Sequence, residues 1–71
     1  MNILIFKTNL DNHEAVQSAG NRLQQLAGIH RWNVDMQDCD HVLRIEAGKL
    51  TADHVETLLR EAGYYCEEMK D

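Results

Sequence analysis

The chain has 71 residues, which is enough for a single domain, and we expect that domain to span residues 1–71. Its 44% hydrophobic and 27% charged residues are typical of a globular protein and exclude a disordered one. Twelve acidic and seven basic residues give a formal net charge of −5, which argues against nucleic acid and anionic membranes as partners. The apolar run over residues 3–6 is too short for a signal peptide or a transmembrane helix, so we expect a cytoplasmic protein.

The cysteines and the motif content narrow the class of function further. Cys39 and Cys66 are too few for a disulfide scaffold and too far apart for a CxxC motif, so we expect two free thiols. No stretch resembles a catalytic triad, a pair of catalytic carboxylates, a phosphate-binding glycine loop or a nucleotide-binding fingerprint. We therefore do not expect an enzyme.

The first predicted element is a buried strand over residues 3–6, which are apolar and rich in β-branched and aromatic types. Because successive side chains of a strand alternate between faces, Leu4 and Phe6 share one face while Ile3 and Ile5 share the other. Small polar residues at positions 8–12 then predict a loop.

A helix is predicted after this loop. Asp11 and Glu14 have the spacing of a capping box, which indicates the helix start. Gly20 inside the helix indicates a close packing contact, since glycine costs about 1 kcal/mol there relative to alanine. Gly28 suits the left-handed position that ends a helix. The apolar stripe of this helix consists of Val16, Ala19, Leu23 and Leu26.

The period of the pattern then changes from about four to two, which predicts two strands joined by a polar turn at residues 37–40. The third strand has Leu43 and Ile45 on its core face and ends at Gly48. The core positions of the second strand are Trp32, Val34 and Met36.

A second helix and a short final strand complete the chain. Thr51 is a good N-cap, and Gly63 is a good C-cap for this helix. Residues 64–66 have strand character. The apolar stripe of the second helix consists of Val55, Leu58, Leu59 and Ala62.

The element order strand, helix, strand, strand, helix, strand predicts an α+β protein with the ferredoxin-like fold. In this βαββαβ sandwich, one four-stranded antiparallel sheet carries both helices on one face. The other face of the sheet is then open to solvent.

In this layout the chain resembles the heavy-metal-associated domain family, which includes copper chaperones and the metal-binding modules of metal-transporting ATPases. After its metal loop the family has the pattern V-x-x-I/A-x-x-x-L-x-x-L-x-G-V, which is matched by Val16, Ala19, Leu23, Leu26, Gly28 and Ile29. The family's apolar second helix closing in A-G-Y is matched by Val55, Leu59, Ala62, Gly63 and Tyr64.

The metal loop of that family, M-x-C-x-x-C-V, departs from its pattern in this chain. By the family's spacing, Leu10 stands at the methionine position, and Asn12 and Ala15 stand at the two cysteine positions. Tyr64 matches the family's tyrosine beside the loop. Because Cu(I) and Zn(II) are held there by two soft thiolates, the family's metal capture is not expected at this loop.

An alternative is a divalent metal ion bound by residues recruited elsewhere. In the predicted fold, the loop after the first strand and the turn between the second and third strands lie at the same end. His13 and Glu14 would come from the first of these, and Cys39 or His41 from the second. Imidazole, thiolate and carboxylate ligands suit zinc, nickel or cobalt. The turn belongs to an edge strand, however, so the distance from His13 to Cys39 argues against one shared ion.

The open face of the sheet is the predicted surface for a partner protein or a homodimer. By alternation it carries Ile3, Ile5, Val42 and Tyr65, which we expect to be neighbours across the sheet centre. Charged residues surround them, namely Lys7, Arg44, Glu46 and Glu67.

Together, these features predict a small acidic heavy-metal-associated-like domain that lacks thiolate ligands. We expect a non-catalytic binding or protein-interaction module without a cofactor. The alternative is binding or transport of a divalent transition metal ion through the recruited residues His13, Glu14, Cys39 and His41.

Overall fold

The alternating and helical patterns produce four strands and two helices in the computed structural model, which describes residues 2–69. The elements are β1 (Asn2–Thr8), α1 (His13–Leu23), β2 (Ile29–Val34), β3 (Leu43–Ala47), α2 (Ala52–Glu61) and β4 (Cys66–Glu68). All paired strands are antiparallel and form one sheet in the order β2-β3-β1-β4. The predicted ferredoxin-like fold is therefore confirmed.

The hydrophobic core lies between the two helices and one face of the sheet. Both helices and all four strands contribute side chains to it, which places α1 and α2 on the same side. Within residues 2–69, neither helix is long and apolar enough to cross a membrane. The core side chains with no exposed surface include Phe6, Ala19, Leu23, Leu43, Ile45, Val55 and Leu59.

The start of α1 lies one residue later than the sequence predicts. Asn12 has the extended backbone of an N-cap, and its Oδ1 accepts a hydrogen bond from the Ala15 amide at 2.8 Å. Asp11 instead accepts a hydrogen bond from the side-chain amide of Asn12. The predicted capping box of Asp11 and Glu14 is therefore wrong, although Glu14 does lie in the first turn.

The end of α1 is also earlier than predicted. The amides of Gln25 and Leu26 donate to carbonyls only three residues back, so the regular helix ends at Leu23. Gly28 has the left-handed conformation expected of it (φ +96°), but in the turn before β2 and not as a helix cap. The predicted C-cap role of Gly28 is therefore wrong.

The other predicted boundaries are close to the observed ones. Thr51 caps α2 through a hydrogen bond from the His54 amide, and Gly63 (φ +94°) follows the helix as predicted. β2 ends at Val34, so Met36 lies beyond it. β4 begins at Cys66, two residues later than predicted.

Candidate functional site

Three connections meet at one end of the sheet, which we call the loop end: residues 9–12, 35–42 and 62–65. The backbone amide of Thr8 donates to the carbonyl of Asp40 at 3.1 Å, which links β1 to the β2–β3 connection. The amide of Tyr65 donates to Oδ1 of Asn9 at 3.0 Å, which links the first and third connections. The predicted meeting of the first two connections at one end is confirmed, and the third connection lies beside them.

The hydroxyl of Thr8 holds two of these segments together. Thr8 is buried, and its Oγ1 donates to the carbonyl of His41 at 2.5 Å while accepting from the amide of Leu10 at 3.2 Å. The side chain therefore fixes the loop after β1 against the β2–β3 connection. Nothing in the sequence pattern distinguishes this threonine from an ordinary strand residue.

The residues predicted to stand at the positions of the family's metal loop contribute to the fold. Leu10 is fully buried in the core, and Ala15 packs against that core. The carboxamide oxygen of Asn12 is engaged with the Ala15 amide as the helix cap. Tyr64 packs against the core beside this loop. These residues supply no thiolate, and they do not fit a soft ion such as Cu(I).

The candidate ligands for a divalent ion are spread over the loop end. His13 and Glu14 are exposed in the first turn of α1, Cys39 is exposed in the β2–β3 connection, and His41 is half-buried with a left-handed backbone (φ +44°). Nδ1 of His41 is buried and has no hydrogen-bond partner among residues 2–69.

One group of three metal-capable side chains is found within residues 2–69, namely Asp38, Cys39 and Asp40, whose ligand atoms lie within 4.8 Å of one another. It does not include His13 or His41. Two of its members are exposed, and Asp40 also forms a salt bridge with Lys7 at 3.5 Å.

Cys66 and the neighbouring Tyr65 both have a pKa above the ordinary value of their side chain. Burial raises the pKa of the Cys66 thiol to about 12, and the negative charge of Glu56 adds to this effect. Cys66 is therefore an inert core residue at neutral pH. A hydrogen bond from the Tyr65 hydroxyl to Glu67 raises the pKa of the tyrosine, with desolvation as the second cause.

The open face of the sheet mixes apolar and charged side chains. Ile3 is 49% and Tyr65 44% exposed, while Ile5 and Val42 are half-buried. The strand register sets Ile3 opposite Glu46, Ile5 opposite Arg44 and Lys7 opposite Glu67.

This register corrects the predicted arrangement of the apolar residues. The Lys7–Glu67 pair lies between Ile5 and Tyr65, so the four predicted residues are not one continuous cluster. The amide of Met69 donates to the carbonyl of Ile5 at 2.8 Å, which makes Met69, 41% exposed, a neighbour that the sequence analysis missed. Its spacing of two from Glu67 and four from Tyr65 was the available signal.

Comparison with known proteins shows the fold. No protein-family profile matches the sequence, and no curated protein matches it. The N-terminal domain of ZntA in its Zn(II) form has a TM-score of 0.81 and 23% identity, covering 96% of this chain and 92% of that one. The yeast copper transporter domain Ccc2a, solved in apo and Cu(I)-loaded states, has a TM-score of 0.85 and 15% identity, covering 100% and 99%.

A third structure extends this likeness. The first domain of the human copper chaperone for SOD1, in its copper(I)-loaded form, has a TM-score of 0.77 and 21% identity, covering 93% and 89%. The chain therefore has the copper-chaperone-like fold of heavy-metal-associated domains.

Proposed function

We propose that this chain is a non-catalytic interaction module, built on the fold of metal-delivery domains, whose loop after β1 does not hold a soft metal ion. The observation that carries the proposal is the state of Asn12. Its side-chain oxygen accepts a hydrogen bond from the Ala15 amide, and the side chain of Ala15 has no atom that could bind a metal ion. Solved structures of the same fold include a Zn(II) form and a copper(I)-loaded form, whereas residues 10–15 of this chain contain no cysteine, which supports the proposal.

The rest of the loop end supports the same conclusion. Cu(I) and Zn(II) are retained by deprotonated sulfur or imidazole ligands that converge on one point. The thiol of Cys66 is buried in the core and protonated, and Cys39 lies on a different connection, among carboxylates. A soft ion entering residues 10–15 would find no sulfur there.

A metal titration with a gain-of-ligand variant tests this proposal. Both proteins carry Cys39→Ser, and one also carries Asn12→Cys and Ala15→Cys. We expect no stoichiometric binding of Cu(I) or Zn(II) at micromolar concentration by the first protein. The second regains the thiolate pair at the start of α1 and is expected to bind one ion per chain. Stoichiometric Cu(I) binding by the protein without the two new cysteines would overturn the proposal.

The divalent-ion alternative is tested by the same measurement. Zn(II), Ni(II) and Co(II) are titrated into the unmodified protein and into its His13→Ala, Cys39→Ser and His41→Ala variants. We expect no binding at micromolar concentration, because His13 and His41 are not part of the ligand group at Asp38–Asp40. Micromolar binding that disappears in His13→Ala would replace the interaction proposal with metal binding.

The surface that we propose for a partner protein is the apolar part of the open face formed by Ile3, Ile5 and Met69. These residues adjoin one another and are rimmed by Arg44 and Glu46. Ile5→Glu places a charge in the centre of this patch without touching the core. We expect this variant to unfold at nearly the same denaturant concentration as the unmodified protein.

A further inference from the structure

The two edge strands of the sheet, β2 and β4, differ in how far their free backbone groups are blocked from pairing with another strand. β4 has three residues, of which two are glutamates, and the outward amide of Glu68 is occupied by a carboxylate oxygen of Glu56 at 2.7 Å. β2 has six residues and contains neither proline nor lysine; its pairing with β3 is irregular between Ile29 and Arg31 and regular from Arg31 to Val34. An edge with unpaired amides and carbonyls is a template for pairing with another strand, and natural edges are normally blocked.

The hydrogen-bond pattern identifies the free groups on β2. The amide of Asp35 donates to the carbonyl of Val42 at 2.9 Å, and bonded pairs alternate along an antiparallel ladder. Asn33 and Arg31 therefore bond to β3, whereas the amides and carbonyls of Trp32 and Val34 point outward. No hydrogen bond to these two outward amides is found within residues 2–69.

The exposed side chains of β2 are complementary in charge to those of a second, antiparallel copy of the same strand. On the open side, β2 and the next residue carry a cation, an amide and an anion at alternate positions, Arg31, Asn33 and Asp35. When two copies lie antiparallel with Asn33 opposite Asn33, each Arg31 faces the Asp35 of the other copy. All three side chains are exposed; Arg31, at 80%, also forms a salt bridge with Glu46 of its own chain at 3.3 Å, so it would be shared between Glu46 and the Asp35 of the second copy.

The same register also gives the free backbone groups of β2 hydrogen-bond partners and pairs its apolar side chains. It sets Trp32 opposite Val34 of the second copy, so that the outward amides and carbonyls of both residues bond across the edge. Both side chains are half-buried, and an aromatic beside a β-branched residue is a favourable cross-strand pair. The neighbouring registers set Arg31 opposite Asn33 or Gln37 and lose both ion pairs.

We propose that two copies of this chain pair through their β2 edges, with Asn33 opposite its symmetry mate, and that their two four-stranded sheets form one continuous sheet. The second copy therefore binds at the sheet edge and not on the open face. This inference goes beyond the proposed function, because it concerns β2 and not the loop after β1.

Disulfide trapping tests the register directly. In a Cys39→Ser background, Asn33→Cys brings two cysteines into a non-hydrogen-bonded pair with Cα atoms about 4.5 Å apart, within the range a disulfide spans. We expect rapid formation of a covalent dimer under mild oxidation. Gln37→Cys is the matched control: it keeps both ion pairs, and because its two copies are offset by eight residues in this register, no disulfide should form between them. Equal cross-linking of the two variants, or none in either, would overturn the inference.

A charge exchange tests the ion pairs without new cysteines. Arg31→Asp and Asp35→Arg each set like charges opposite one another, so sedimentation should show dimers weakened about tenfold or more. An equal mixture of the two variants restores both attractive pairs and should dimerise like the unmodified protein.

The open-face variant Ile5→Glu is the control in this experiment and should dimerise normally. An unmodified protein that sediments as an 8.2 kDa monomer at millimolar concentration would refute the inference. Loss of the dimer in Ile5→Glu would instead assign the contact to the open face.

Discussion

Trp32 packs closely against Gly20 where α1 lies on the sheet. A Cβ atom built on Gly20 would lie 2.3 Å from Cζ2 and 2.6 Å from Cη2 of the indole ring. The absence of a side chain at Gly20 is therefore what allows the helix to lie close to β2. The close contact was predicted from the cost of glycine in a helix, but its partner was not, because Trp32 belongs to another element.

We expect Gly20→Ala to destabilise the fold by up to about 2 kcal/mol, because overpacking costs about 1–3 kcal/mol and is offset by a helix propensity gain of about 1 kcal/mol. The measurement is urea unfolding followed by the fluorescence of Trp32, the single tryptophan. Gly48→Ala is the control, since its Cβ would meet the nearest atom at 3.6 Å. A stabilised Gly20→Ala protein would show that the contact is looser than described.

Among the single elements, the start of α1 can be tested, because substitutions of Asp11 and Asn12 show which of the two caps the helix. Asn12→Ala removes the oxygen that accepts from the Ala15 amide, and we expect a loss of about 1 kcal/mol. Asp11→Ala removes only a surface contact and should change stability by less than about 0.5 kcal/mol. Chemical denaturation of both variants provides the comparison. The reverse order of effects would favour the capping box predicted from the sequence.

Local interactions explain why the sequence analysis places some helix and strand boundaries wrongly. Asp11 and Asn12 are comparable capping residues, and only the extended backbone of Asn12 decides between them. Leu26 fits the apolar stripe of α1, yet its amide bonds three residues back and lies outside the helix. The amide of Tyr65 donates to the side chain of Asn9 and not to a strand backbone, so β4 starts only at Cys66, two residues later than predicted.

At the scale of the whole molecule, the two cysteines report on global unfolding. Cys39 is exposed and Cys66 is fully buried. We expect a thiol reagent at pH 8 to modify one cysteine per folded chain and both in denaturant, and Cys39→Ser to leave the folded chain unreactive. Rapid modification of Cys66 in the folded protein would indicate that the core opens locally.

The acidity of Cys66 also sets a direction for stability at alkaline pH. Because its pKa rises from 9.0 to about 12 on folding, the folded chain keeps a proton that the unfolded chain releases. This thiol therefore lowers the free energy of unfolding progressively as pH rises above about 9. Denaturant midpoints measured from pH 8 to pH 10 should decrease.

Residue spacing and strand alternation predict only part of the candidate site, namely the positions of residues along one helix or one strand. Spacing relative to the helix stripe predicts that Asn12 and Ala15 stand at the cysteine positions of the family's metal loop, and this stays a prediction. Alternation placed Ile3 and Ile5 on the open face, where both are found. The role of Thr8 and the separation of Tyr65 from Ile5 depend on cross-strand register, which the order of residues along one strand does not encode.

The carboxylate of Glu56 on the outward amide of Glu68 limits how large an assembly can grow. A sheet with two receptive edges could add copies without end and form a fibre. Here the β4 edge is only three residues long and the amide of Glu68 is already bonded to Glu56, while twofold pairing uses the β2 edge, so we expect the assembly to stop at two copies. Replacing Glu56 would then matter less for the folded chain than for its solubility.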